Sequence, residues 1–102
     1  MITLSVKKAS TNLEKMVGLI GKQHPYSLLL ETRFGIHTFG VQFPIDVIIL
    51  DKHYMVRDLF IYMKPSRIFF WNPLFPYVLE LPQGTIEKMK IKKDETIKLV
   101  VK

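Results

Sequence analysis

The apolar run Ile45-Asp46-Val47-Ile48-Ile49-Leu50 holds a single carboxylate, and a carboxylate among aliphatic neighbours must be hydrogen-bonded or give up its charge. Two readings of Asp46 follow. In the structural one it accepts backbone N–H groups freed where Pro44, which has none, interrupts the strand. In the chemical one it is a pocket acid beside His37 or Glu80, because an imidazole and two carboxyls brought together by folding can carry general acid–base catalysis. Glu80 falls on the strand face opposite Tyr77, Leu79 and Leu81, which predicts exposure to water. Only a sheet covered on both faces would oblige it to pair with Arg33, Arg57 or Lys64.

Other chemistry has little material to work with. The chain has no cysteine, so disulfides, thiolate nucleophiles and cysteine zinc sites are excluded, and nothing argues for an oxidising compartment. His24, His37 and His53 are too widely spaced for the local patterns that put two imidazoles on one metal, so no metal site is expected. Gly35 and Gly40 are isolated, and no serine stands in a Gly-x-Ser-x-Gly context. The sequence therefore carries no phosphate-cradling loop, dinucleotide fingerprint or hydrolase elbow, and no cofactor is expected.

Two surfaces remain as candidates for contact. The stretch 68–77 has five aromatic residues and no charge, more than one strand face can bury, so Phe69, Trp71, Phe75 and Tyr77 are candidates for meeting a protein or a small molecule. Lys88, Lys90, Lys92 and Lys93 cluster near the C-terminus, where Lys98 and Lys102 extend them. With a net charge of +6 they could attract a phosphate polymer, but no aromatic residue is interleaved to read bases, and a solvated basic face is the simpler reading.

The elements that must position these residues are mostly strands. Ile2, Leu4 and Val6 alternate with polar residues, as do Ile97, Leu99 and Val101, and the two segments read as the first and last strands. Between them, Tyr26 to Thr32, Phe39 to Phe43, Ile45 to Leu50, Met55 to Met63, Arg67 to Trp71 and Tyr77 to Leu81 read as further strands. The connection at Asp51-Lys52-His53-Tyr54 is a hairpin without an Asn-Gly or Asp-Gly signal. Thr11-x-x-Glu14 has capping-box spacing before a two-turn helix that would plug one end of a sheet, and Thr85 to Lys90 can form a helical turn after Gly84. At 102 residues, without repeats or linkers, the expectation is one domain over residues 1–102. It is mainly β, an antiparallel sandwich or barrel-like sheet of about seven strands with one or two short helices. The N-terminus lacks the apolar stretch of a signal peptide, and no run approaches the ~20 residues that cross a bilayer, so a cytoplasmic protein without membrane contact is expected.

Two blocks in this order and spacing, Pro44-Ile45-Asp46-Val47-Ile48-Ile49-Leu50-Asp51 and Tyr77-Val78-Leu79-Glu80-Leu81-Pro82-Gln83-Gly84, resemble the family known as domain of unknown function 192. Gly18-Leu19-Ile20-Gly21-Lys22 stands where that family usually has Gly-Leu-Met and a basic residue, so the resemblance spans roughly residues 10 to 100. It departs at His37-Thr38-Phe39-Gly40-Val41, where many members carry Trp-Met-Lys-Asn-Thr, and at Asp94-Glu95, where the family closes on Gly-Asp. The resemblance implies a compact, mostly β fold of unassigned function and supplies no catalytic residue, cofactor or substrate. The function expected from the residues is a non-catalytic binding or structural module using the aromatic loop from Phe69 to Tyr77 near the Pro44-Ile45-Asp46 corner. An acid–base enzyme or ligand-binding protein built on His37, Asp46 and Glu80 is the alternative, and weak nucleic-acid binding through the C-terminal lysines is the third reading.

Overall fold

Alternation along Ile2–Lys8 produces β1, with Leu4 and Val6 buried and Thr3 and Ser5 exposed. A computed structural model of the chain describes residues 2–8, 27–31, 36–37, 44–64, 68–69, 72 and 74–101. Within them the further strands are β2 (Leu28–Glu31), β3 (Ile36–His37), β4 (Ile45–Leu50), β5 (Val56–Met63), β6 (Ile68–Phe69), β7 (Tyr77–Pro82) and β8 (Ile97–Val101). One helix, α1 (Thr85–Met89), follows β7. The expected helix after Thr11 and the expected strand from Phe39 to Phe43 lie outside the described residues.

Six strands form one sheet in the order β5-β4-β7-β2-β1-β8, and β3 pairs with β6 separately. The barrel-like, mainly β expectation holds, with one difference: β1 runs parallel to both β2 and β8, while the β2–β7, β7–β4 and β4–β5 ladders are antiparallel. Periodicity reports which face a residue takes and not which neighbour its strand finds, so strand direction was not readable from it. The sheet curls until its edges meet at a bridge between Met55 and Thr96. There Val56 N–H donates to the Glu95 carbonyl at 2.8 Å and Asp94 N–H to the Val56 carbonyl at 2.9 Å. The result is a half-barrel.

Its concave side gathers Leu4, Val6, Leu29, Ile48, Leu50, Val56, Leu79, Leu81 and Ile97 from all six strands. Ile86 of α1 and Ile91 just beyond it close that core, so α1 is the plug among the described residues. The other side is buried as well: Leu28, Leu30, Ile45, Val47, Ile49 and Val78 form a second cluster, with Phe60, Met63 and Phe75 packed on it. Full burial of side chains of this size contributes about 1.5–3 kcal/mol each, and β4, buried at every position, supplies five of them around the one carboxylate, Asp46. A strand buried on both faces has no solvent side on which to place a charge.

Candidate functional site

Asp46 sits where β4 and β5 lose register. Ile45 pairs with Met63 but Val47 pairs with Phe60, so β5 carries an extra residue opposite Asp46. Tyr62, in that bulge, adopts a left-handed φ of 59° and turns its N–H out of the ladder, and Asp46 Oδ1 accepts it at 3.0 Å. Oδ2 accepts the N–H of Ile86 at 3.0 Å, one of the orphan donors in the first turn of α1. The residue before the helix, Gly84 (φ 89°), has no side chain to cap it, so the carboxylate forty positions upstream does so. This is the structural reading of Asp46, with the freed N–H groups on the facing strand and on α1.

Glu80 departs from expectation. It is 3% exposed, because the face opposite Leu79 and Leu81 is covered by the second cluster. Its register partners are Val47 on β4 and Leu28 on β2, both apolar. Oε1 has no hydrogen-bond partner among the described residues, and burial pushes the carboxyl up to about 7. Arg57, one of the three cations that could have paired with it, is bound to Asp51 instead.

These positions correct the idea of one His37/Asp46/Glu80 pocket. Asp46 pairs with Leu81 and faces the concave core, whereas Val47 pairs with Glu80 and faces the convex one. Successive side chains on a strand point to opposite faces, so the sheet itself separates the two carboxyls. His37 ends β3 opposite Ile68, and its side chain lies outside the described residues.

The aromatic loop does help to build a surface, but at the Asp51 end of β4 and not at the expected Pro44-Ile45-Asp46 corner, because Tyr77 pairs with Leu50 while Ile45 pairs with Pro82. Among its candidates, Phe69 is described only as backbone paired with Ile36, and Trp71 lies outside the described residues. Asn72 Oδ1 accepts the Leu74 N–H at 2.9 Å and its carbonyl accepts the Phe75 N–H at 3.0 Å, an Asx-type turn that projects Leu74 outward, 78% exposed. Phe75 packs on the convex cluster and lies beneath the Arg57 guanidinium, 5.9 Å from its ring centre. Tyr77 turns the other way, toward the concave core, with its ring 4.9 Å from that of Tyr54. The Tyr54 hydrogen bond, then burial, hold its phenol above the ordinary 10.0.

Facing Leu74 and Phe75 across an open groove of about 430 Å³ is the β4–β5 hairpin, with Asp51, Lys52, His53 and Arg57. Asp51 organises that turn: Oδ1 accepts N–H groups from His53 (2.8 Å) and Met55 (3.1 Å), and Oδ2 accepts Arg57 Nε and Nη2, both at 2.9 Å. Burial alone would raise its pKa, but the Met55 and His53 N–H groups and then the Arg57 guanidinium outweigh it and hold the carboxyl below 3.8. Asp51, Lys52, His53, Arg57 and Leu74 were not among the site residues read from sequence. The signal that could have found them is an Asx residue ending a buried strand, with a cation positioned across the hairpin.

The C-terminal lysines are divided between α1 and the turn after it. Lys88, Lys90, Lys92 and Lys93 are all exposed, and Lys102 lies outside the described residues. Lys92 and Lys93 lead into Asp94 and Glu95, which are bonded through their backbone to Val56. Asp94 Oδ1 is 3.8 Å from Arg57 Nη1, so this turn borders the groove. No cluster of three potential metal ligands occurs among the described residues.

A family model, DUF192, described as "Uncharacterized ACR", matches residues 2–99. The chain belongs to this family. The resemblance carried by the two sequence blocks is therefore borne out. The chain is 34% identical over 99 residues to the UPF0127 protein PH1112 of Pyrococcus horikoshii, covering 91% of this chain and 85% of that one. It is 30% identical over 96 residues to the UPF0127 protein PF1050 of Pyrococcus furiosus, covering 88% and 82% respectively. The crystal structure of a protein of unknown function from Novosphingobium aromaticivorans superposes with a TM-score of 0.79 at 16% identity, over 89% of this chain and 71% of that one. That likeness concerns the fold. DUF192 is an uncharacterised family, and the function has to be argued from the site.

Proposed function

We propose that this chain is a non-catalytic binding module whose contact surface is the groove between the aromatic loop and the β4–β5 hairpin. Leu74 carries the proposal: an aliphatic side chain 78% exposed, held by a hydrogen-bonded turn at the edge of a groove whose other wall is polar and charged. Apolar surface fixed beside polar groups is what a contact surface offers a partner, and the fixed turn lowers the entropy lost on binding. The buried carboxyls support the same reading from the opposite direction. Asp46 spends both oxygens on backbone N–H groups, and Glu80 faces the other side of the sheet, so neither has the other as an acid–base partner. A cytoplasmic setting accords with the lack of cysteine, and no helix among the described residues is long and apolar enough to cross a membrane.

The test is an amide-detected NMR titration of the full chain with a mixed fragment library. Shift changes concentrated at His53, Arg57, Leu74 and Phe75 are the expected result. Changes concentrated around Asp46 or Glu80, with the groove silent, would overturn the proposal.

A further inference from the structure

The topology brings three separate chain segments to one rim. The β4–β5 hairpin places Lys52 and His53, both exposed, on one wall of the groove, and β5 places Arg57 at its floor. The turn before β8 is bonded to Val56 through Glu95 and Asp94, which sets the exposed Lys92 and Lys93 beside that floor. Among the described residues, Lys52, Lys92 and Lys93 take part in no ion pair. Of the three acids at this rim, Asp51 is taken up by Arg57 and two backbone N–H groups, and Glu95 turns Oε1 back onto the Lys92 N–H at 3.1 Å. Asp94 alone is well exposed. Lys52 therefore lines the groove with Leu74, and the turn carrying Lys92 and Lys93 adjoins it through Arg57.

We infer that the groove takes an acidic peptide segment of a partner protein, one that sets an apolar side chain against Leu74 and its carboxylates among Lys52, Lys92 and Lys93. This rests on the binding-module reading and names its occupant. Three observations choose a peptide. The chain carries a net charge of +6, so a second copy would bring the same excess to a basic rim, and self-association is opposed. Phe75 is packed on the convex core with Arg57 against its ring, which leaves its face engaged rather than offered to a stacking base. Leu74 is aliphatic, and single-stranded nucleic acid is gripped through aromatic faces whereas peptides are gripped through apolar pockets with a charged rim.

The experiment measures fluorescence anisotropy of three labelled probes titrated with the full chain: a short peptide of alternating Glu and Leu, its Glu-Gly counterpart, and an oligothymidylate of equal charge. The Glu-Leu peptide is expected to bind at least about tenfold more tightly than either control. Leu74→Ser should erase that margin; the residue is exposed, so an unchanged melting temperature serves to show that the fold survives. Lys92→Glu combined with Lys93→Glu should weaken binding about tenfold and flatten its dependence on salt. Equal binding of all three probes, or binding indifferent to Leu74→Ser, would overturn the inference in favour of a general anion-attracting surface. If no probe binds while fragments still shift the groove amides, the acidic occupant is wrong and the binding module stands. If the groove amides stay silent as well, both fall.

Discussion

Asp46 on β4 and Glu80 on β7 lie one register step apart in the same ladder and are both lost to solvent, yet Asp46 gives each oxygen to a backbone N–H and Glu80 leaves Oε1 without a partner among the described residues. The difference comes from where backbone donors are free. Asp46 stands opposite a bulge and beneath a helix start, two places where N–H groups have left or never joined a ladder. Glu80 stands mid-ladder between Leu28 and Val47, where neighbouring N–H groups are committed to strand pairing. One carboxyl has both oxygens hydrogen-bonded, and the other is held toward its protonated form by burial.

The largest way to break this comparison is Asp46→Ala. It removes the acceptor of the buried Ile86 N–H and of the part-buried Tyr62 N–H; a buried unsatisfied donor costs about 1–3 kcal/mol and the second less, so urea denaturation should show a loss of about 3 kcal/mol. Glu80→Gln should act in the opposite direction. The folded carboxyl titrates at about 7 against an ordinary 4.5, so between those values the folded state holds a proton that the unfolded state has released. Stability should therefore be full below about pH 4.5, fall as pH rises to about 7, and level off above. The substitution should recover about 2–3 kcal/mol at pH 8 and little at pH 4, measured as parallel denaturation curves.

Smaller effects sharpen the contrast at the hairpin and the helix. Asp51→Ala removes the acceptor of two N–H groups and of Arg57 in a partly exposed setting, and should cost about 1–2 kcal/mol in a thermal melt at pH 7. Because the folded carboxyl titrates below 3.8, its contribution is present above that value, and the gap between variant and parent should close as pH falls through the lowered pKa. Gly84→Ala should cost about 1 kcal/mol. Its φ of 89° strains any L side chain, but an added Cβ would meet nothing within 4 Å, so only backbone preference is lost.

Much of the fold was legible wherever one side chain reports one environment. The alternation of Ile2, Leu4 and Val6 gave β1 directly, and Gly84 with Thr85 marked the start of α1; Asp46 was expected to accept N–H groups freed at Pro44, whereas its donors are Tyr62 in the β5 bulge and Ile86 of α1. Glu80 was misread because local alternation assumes a solvent face, and whether a face is covered depends on elements distant in sequence. The parallel β1–β8 ladder was hidden for the same reason, since it pairs the two ends of the chain. At the candidate site, the aromatic loop was visible as an excess of rings, but its opposite wall was not. Asp51, Lys52, His53 and Arg57 read as an ordinary polar hairpin until β4 and β5 bring them across from Leu74.

Carbon-detected NMR titration of the Glu80 carboxyl, in the parent chain and in Asp46→Asn, tests the central claim most directly: that the sheet separates two carboxyls with different structural roles. An apparent pKa of about 7 in both proteins is predicted, because Asp46 faces the other side and burial is what raises Glu80. Two carboxylates sharing one site raise each other, and removing the charge of one lowers the other's pKa by roughly 1 or more. A fall of that size in Asp46→Asn would place the two groups in one pocket, contradict the account, and return an acid–base function to the foreground.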